Sequence, residues 1–211
     1  AWTYVGLTNS GLALPTLTGI CEGFQSGRIL RIGEIWAIPA MLRFVLLENL
    51  RRISDRVARA RHDRHAANLL ADRLIREGGA AALLAGATRG RIGDTFAAQL
   101  LYRLRDGSDH ADEGLAWLHS TLAAQGTDTA RVVAHEHARQ SENNVAAGNI
   151  VRSLKWIDDT NWTDWFETVS RVDAILRSGA DFPLLDRPTR NTYRDTIERI
   201  ARRSRLEETE G

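Results

Sequence analysis

At 211 residues, 43% of them hydrophobic, the chain is long enough to bury one core or two small ones. Its 28 basic and 27 acidic residues leave a net charge of +1, which excludes a strongly basic nucleic-acid binder; only Lys155 is a lysine, so clustered arginines partly reflect background usage. The single Cys21 excludes an intramolecular disulfide and suits a reducing compartment, or a domain that needs no staple.

The chain starts at Ala1 without Met, inside a helix and without a secretory signal, so it reads as a piece of a longer protein. Prolines stand only at 15, 39, 183 and 188, and alternating Val/Ile runs are absent. The expected fold class is all-α: a multi-helix bundle of mostly antiparallel helices with short connections. A first apolar segment runs from Leu14 to Gln25 and ends at Ser26-Gly27. The next helix runs from about Ile35 to Arg61, or on through His65 to Glu77, where Gly78-Gly79 forms its C-cap. An Ala/Leu-rich turn, 80–85, leads into a flexible break near 86–93. Asp94 opens a helix with the stripe Phe96, Leu100, Leu101 and Leu104, which breaks at 106–109. Leu115, Leu118 and Leu122 mark a helix that stops at Gly126. Thr127 to Ala130 cap a long helix to about Ile157. Asn161 or Thr163 caps the helix bearing Trp165, Val169, Val172 and Leu176, and Pro188-Thr189 opens the last one. These make a single helical domain over 1–206 with a frayed charged tail at 207–211.

The second of these helices is the most telling. Leu46, Leu50, Ile53 and Val57 fall at spacings of four, three and four and share one face, with Arg43, Arg51 and Asp55 off it. Trp36, Leu46, Leu50 and Trp165 are expected in the core. Its longest apolar stretch, Ile35 to Leu47, is broken by Pro39 and Arg43 and falls short of the roughly 20 apolar residues of a membrane span, so this segment should be soluble, without inserting into a bilayer itself.

Three stretches carry a family resemblance. The run Gly33-Glu-Ile-Trp-Ala-Ile-Pro-Ala-Met-Leu-Arg43 followed by Glu48-Asn49-Leu50-Arg51-Arg52 is the first. The second joins Asn149-Ile-Val-Arg-Ser-Leu154 to Trp162-Thr-Asp-Trp-Phe-Glu-Thr-Val-Ser170, and the third is Thr189-Arg-Asn-Thr-Tyr-Arg-Asp-Thr-Ile-Glu198. In composition and order they resemble segments in the non-catalytic N-terminal part of the bacterial cyclic β-1,2-glucan synthases, very large inner-membrane glucosyltransferases. About a third of the residues carry the likeness, and 62–130 carry almost none. Asp195 stands where the family usually has His, and Ser178 to Pro183 replaces a Pro-Gly turn.

Candidate sites weigh mostly toward structure. His62 and His65 share a helix face near Asp63 and Glu77, but solvated histidines on an Arg-rich face are the better reading; His135 and His137 point apart. The run Arg139 to Asn144 interrupts the apolar face all the way round, so it is solvated or in a polar contact, and Asn144 with Gly148 would allow a second helix close by. The arginines from Arg43 to Arg64 interleave with Glu48, Asp55 and Asp63 as a self-neutralised surface. Trp162, Trp165 and Phe166 could form a sugar platform, yet the register of Trp165 with Val169 and Val172 argues for core. Asn161-Trp-Thr163 matches a glycosylation pattern, with a helix-cap role the more economical. Arg43 and Glu48 lie five apart and cannot pair simply. Each should be anchored from another helix, Arg43 by an acidic group and Glu48 by one of the late arginines, such as Arg190 or Arg194. Trp36, Asn49 and Asn144 complete the residues expected to have structural or interaction roles.

No Gly-rich phosphate loop, spaced Asp-x-Asp or Ser-His-Asp set occurs, so no catalytic residue, metal or cofactor site is assigned. The resemblance implies a parent that polymerises glucose from UDP-glucose, controls glucan length and cyclises the product, with this fragment non-catalytic. It would then be an accessory or linker domain at the cytoplasmic face of the inner membrane, its partners the transferase and membrane domains of the same chain. The alternative is an autonomous helical interaction or oligomerisation module. An independent helical enzyme around Arg43, Glu48 and Asn144 ranks last.

Overall fold

The computed structural model describes residues 1–77, 91–105, 109–179, 181–204 and 206–209. Their regular structure is helical: α1 (Trp2–Leu7), α2 (Leu14–Gln25), α3 (Ile32–Glu77), α4 (Asp94–Arg105), α5 (Asp109–Ala124), α6 (Thr129–Asp159), α7 (Trp162–Val169), α8 (Arg171–Ser178), a 3-10 turn (Phe182–Leu184) and α9 (Arg187–Ser204). The all-α class is as expected. The Gly78-Gly79 cap and the 80–85 turn lie outside the described residues, as do most of the breaks near 86–93 and 106–109.

The chain divides into two compact units, Ala1–Asn49 with Gly148–Gly211 and Leu50–Ala147, where the sequence reading had one domain. The division is not visible in composition, because it falls inside α3 and α6, two helices that carry no break at Asn49 or Gly148. α3 has a clear internal logic. Ile32, Pro39, Leu46, Ile53, Ala60, Ala67 and Leu74 are all buried and stand seven residues apart, with Ile35 and Leu42 three residues after the first two. A seven-residue repeat keeps one narrow seam facing the neighbours along a long helix. Pro39, two turns in, sits on that seam. Leu50 and Val57 lie beside it, half-buried and exposed respectively, so the four-residue face read from the sequence is corrected to the heptad seam.

In the first unit α2 packs on α7, and α7 on α8. Tyr4 Oη donates to the Ala13 carbonyl (2.9 Å) and accepts from Ala13 N (2.8 Å), tying α1 to the start of α2. Between these helices Asn9 and Ser10 adopt left-handed backbone (φ 48° and 64°), a conformation side chains other than Gly enter at a cost. Three residues of the family-like stretches hold this turn. Ser153 Oγ donates to Ser10 O (2.6 Å) and accepts from Leu12 N (3.0 Å), Asn149 Nδ2 donates to Asn9 O (2.9 Å), and Asn49 Nδ2 donates to Ser10 Oγ (3.4 Å).

After α9, Glu208 is buried, and its Oε2 accepts from Ile32 N (2.7 Å), one of the donors at the start of α3 that has no partner within the helix. Burial pushes the Glu208 carboxyl above its ordinary range, opposed by that backbone hydrogen bond and reinforced by the charge of Glu198.

In the second unit α4 packs on α5, and Leu74, Leu100, Leu104, Leu118, Leu122 and Val132 form the heart of one apolar cluster. Gly114 faces it: a β-carbon there would stand 3.0 Å from a Leu104 methyl and 3.2 Å from a Leu74 methyl. α5 ends on Gly126 (φ 74°), with Gly126 N donating to Ala123 O and Thr127 N to Leu122 O (both 3.0 Å), the paired closure that a left-handed glycine permits.

Candidate functional site

The family-like stretches, the first of them as far as Asn49, belong to the first unit. Asn161 Oδ1 accepts from Asp164 N (3.3 Å) and so starts α7, choosing between the two caps read from the sequence. The helix expected to run on to Leu176 instead breaks at Ser170, whose extended backbone (ψ 120°) and Oγ, accepting from Asp173 N (3.2 Å), start α8. This break turns Glu167 and Asp173 toward the same guanidinium. Arg194 of α9 is only 2% exposed; its Nε donates to Asp173 Oδ1 (2.7 Å) and its Nη2 to Asp173 Oδ2 (2.8 Å), a two-pronged pair with a carboxylate that is 0% exposed. Nη2 also donates to Glu167 Oε1 (2.9 Å), and Nη1 to Asn191 Oδ1 (2.7 Å).

Arg190 Nη1 donates to both Glu167 oxygens (3.1 and 3.0 Å), and Arg177 Nη2 to Asp173 Oδ2 (3.1 Å) and to the Glu167 carbonyl. Burial pulls the Arg194 pKa down, but the hydrogen bonds and charges of Asp173 and Glu167 more than offset it and hold the guanidinium above its ordinary value. This network is a latch between α7, α8 and α9 made from charged groups that satisfy one another.

Aromatic rings continue from the latch. The Arg194 guanidinium lies 5.1 Å from the centroid of the fully buried Phe166, and Trp36 stacks on the same ring (centroids 4.7 Å apart, 13° between planes). Trp36 was expected in the core and is 39% exposed: the seam passes through its neighbour Ile35, and Phe166 covers the indole without enclosing it. Trp36 lines a groove of about 380 Å³ with Ile32, Gly33, Asn191, Arg194, Asp195 and Glu198. Trp165 is buried as expected, its Nε1 donating to Thr18 Oγ1 (3.0 Å); Trp162 meets Trp156 and Trp165 edge-on and donates to Ile157 O (2.7 Å).

The remaining expected residues fall in separate places. Arg43 Nη2 donates to Asp158 Oδ1 (2.6 Å), an acidic group on another helix, though both side chains are well exposed. Arg190 and Arg194 take Glu167 and Asp173 as their carboxylate partners, two acids that the break at Ser170 presents to α9. Asn144 is exposed. The atoms nearest to a β-carbon placed on Gly148 belong to the Arg152 side chain of its own helix.

The sequence reading missed Glu136. It is buried in the second unit, accepting from Arg64 Nη1 (3.3 Å), Thr95 Oγ1 (3.0 Å), Gln140 Nε2 (2.7 Å) and Arg139. Burial pushes its carboxyl up, yet the hydrogen bonds from Gln140, Arg139 and Thr95 win and hold it below the usual carboxylate range. A carboxylate followed three and four residues later by Arg and Gln was the available signal. His62 and His65 are exposed, His135 Nδ1 stands 3.5 Å from Asp94 Oδ2, and no group of metal-binding side chains forms among the described residues.

No helix among the described residues is long and apolar enough to cross a membrane. No family model matches the chain. A protein of Rhizobium meliloti (strain 1021) described as cyclic beta-(1,2)-glucan synthase NdvB is 49% identical to it over 207 residues. The matched stretch is 97% of this chain and 7% of that protein, so the chain spans less than a tenth of the relative's length. The likeness carried by the three stretches thus extends along nearly the whole chain, which matches one short part of that relative.

Proposed function

We propose that this chain is a non-catalytic helical accessory or linker domain of a protein resembling cyclic β-1,2-glucan synthase. The observation that carries this reading is the use to which the family-like residues are put. Arg190, Arg194 and Glu167 close the latch, while Asn49, Asn149 and Ser153 hold the left-handed turn at Asn9-Ser10. Groups occupied in this way fix a shape rather than carry out a reaction. The rest of the longer protein would polymerise glucose from UDP-glucose and cyclise the glucan, with this domain in its N-terminal region, packed on the transferase or membrane portions at the cytoplasmic face of the inner membrane. The test has two parts. The 211-residue chain should turn over no UDP-glucose, and a full-length synthase carrying Arg194→Met should lose glucan output through loss of folded protein. Glucose transfer by the chain alone would overturn the reading.

One observation favours the rival, an interaction module. Met41, Phe44 and Leu47 follow each other at three-residue spacing on α3 and are all exposed, Phe44 by 65%. If this row pairs two copies, Phe44→Glu should convert a dimer to a monomer in light scattering; a wild-type chain that is already monomeric counts against that reading.

A further inference from the structure

We propose that the groove beside Trp36 holds a strand of neutral glucan. The class of ligand follows from the walls of the groove; that its sugar is glucose rests on the reading just given.

A pyranose ring offers an apolar face of C–H groups and an edge of hydroxyls, so it is recognised by an aromatic plane with hydrogen-bonding side chains beside it. Trp36 supplies the plane. One face of its indole is held against Phe166, which is itself fixed by burial and by Arg194, so the ring is positioned before any ligand arrives. Trp36 keeps 39% of its surface exposed and lines the groove.

The hydrogen-bonding edge comes from α9. Asn191, Asp195 and Glu198 stand at i, i+4 and i+7 and share one helix face on the groove. An amide and two carboxylates in a row suit successive hydroxyls. Gly33, one turn before Trp36, keeps the passage open: a β-carbon there would stand 3.3 Å from Glu198 Oε1.

Length and charge narrow the ligand further. Gly33 and Glu198 also line a neighbouring cavity of about 500 Å³ that extends toward Arg31, Ala201 and Leu206. Each cavity alone is in the ~300–1,000 Å³ range of small-molecule sites, and their shared lining makes a path for several sugar units rather than one. The lining acids disfavour a diphosphate. Arg194 is committed to Asp173 and Glu167, Arg202 pairs with Glu198 (2.5 Å) and Arg31 lies 3.6 Å from Glu207, so these cations already have carboxylate partners. A neutral polymer fits where UDP-glucose does not.

The test titrates the 211-residue chain with a linear β-1,2-gluco-oligosaccharide and, separately, with UDP-glucose, following the indole N–H resonances by NMR with Trp36 assigned through Trp36→Phe. The oligosaccharide should shift the Trp36 resonance saturably. Trp36→Ala should weaken binding by about tenfold or more, and Asp195→Ala by about threefold. Because Trp36→Ala also removes the stack on Phe166, the exposed Asp195→Ala variant, checked by far-UV dichroism, separates lost binding from lost fold. An unmoved Trp36 resonance at millimolar oligosaccharide, or saturation by UDP-glucose instead, overturns the proposal. The first of these outcomes leaves the accessory-domain reading standing, since that reading is decided by turnover and by the full-length protein.

Discussion

Asp173 and Arg194 show how much of this protein's specificity lies in single side chains. A carboxylate with no exposed surface is tolerable only while its partners remain, and Arg194 is the one that meets both of its oxygens. Arg194→Met should therefore destabilise the first unit by about 3–5 kcal/mol in urea unfolding, the cost of stranding a buried charge. Arg194→Lys should recover little, because an ammonium cannot make the two-pronged contact. Glu136 gives a residue-scale prediction in pH. Its folded-state pKa lies below the unfolded value, so its contribution to stability is present above about pH 4.3 and is lost as pH falls through the folded value. Glu136→Gln should flatten the acid limb of a stability-against-pH curve for the second unit; an unchanged limb would mean that the hydrogen bonds from Arg139, Thr95 and Gln140 do not set its ionisation.

At the scale of the element, α3 separates what sequence spacing can and cannot convey. Three- and four-residue spacings identified the helix, yet a face drawn through Leu46, Leu50, Ile53 and Val57 included two positions that the seven-residue seam leaves at its side. Small alanines at 60 and 67 hide the seam in the sequence, because they carry little hydrophobic signal although both are buried. Leu46→Ala should cost about 2–5 kcal/mol in chemical denaturation, while Val57→Ala should cost under about 1. Gly114 poses a contest of opposite effects. Alanine gains about 0.5–1 kcal/mol of helix propensity, but its methyl would press on two core leucines at 3.0 and 3.2 Å, where overpacking costs about 1–3 kcal/mol. Net loss is the expected sign, read from the denaturation midpoint. The caps at Asn161 and Gly126 were legible from residue type. The break at Ser170 was not, since Ser in mid-pattern carries no sign that its hydroxyl will start a new helix; the latch it creates was invisible for the same reason.

For the whole molecule, the groups of the latch all belong to the first unit. Hydrogen exchange on Arg194→Met should thus show lost protection in α7, α8 and α9, with the amides of Leu100 and Leu118 still protected. Equal loss in both units would show that they unfold as one. The first unit is also assembled from the two separated stretches, and the hydrogen bond from Ile32 N to Glu208 spans 176 residues. On the ribosome this imposes a sequence of events. Residues 50–147 are complete, and can close on themselves, while residues 148–211, which share a unit with residues 1–49, have yet to be translated. Within residues 1–49, α2 must therefore wait for α7, on which it packs, through the synthesis of more than a hundred further residues, an interval in which a holdase would have the most to do.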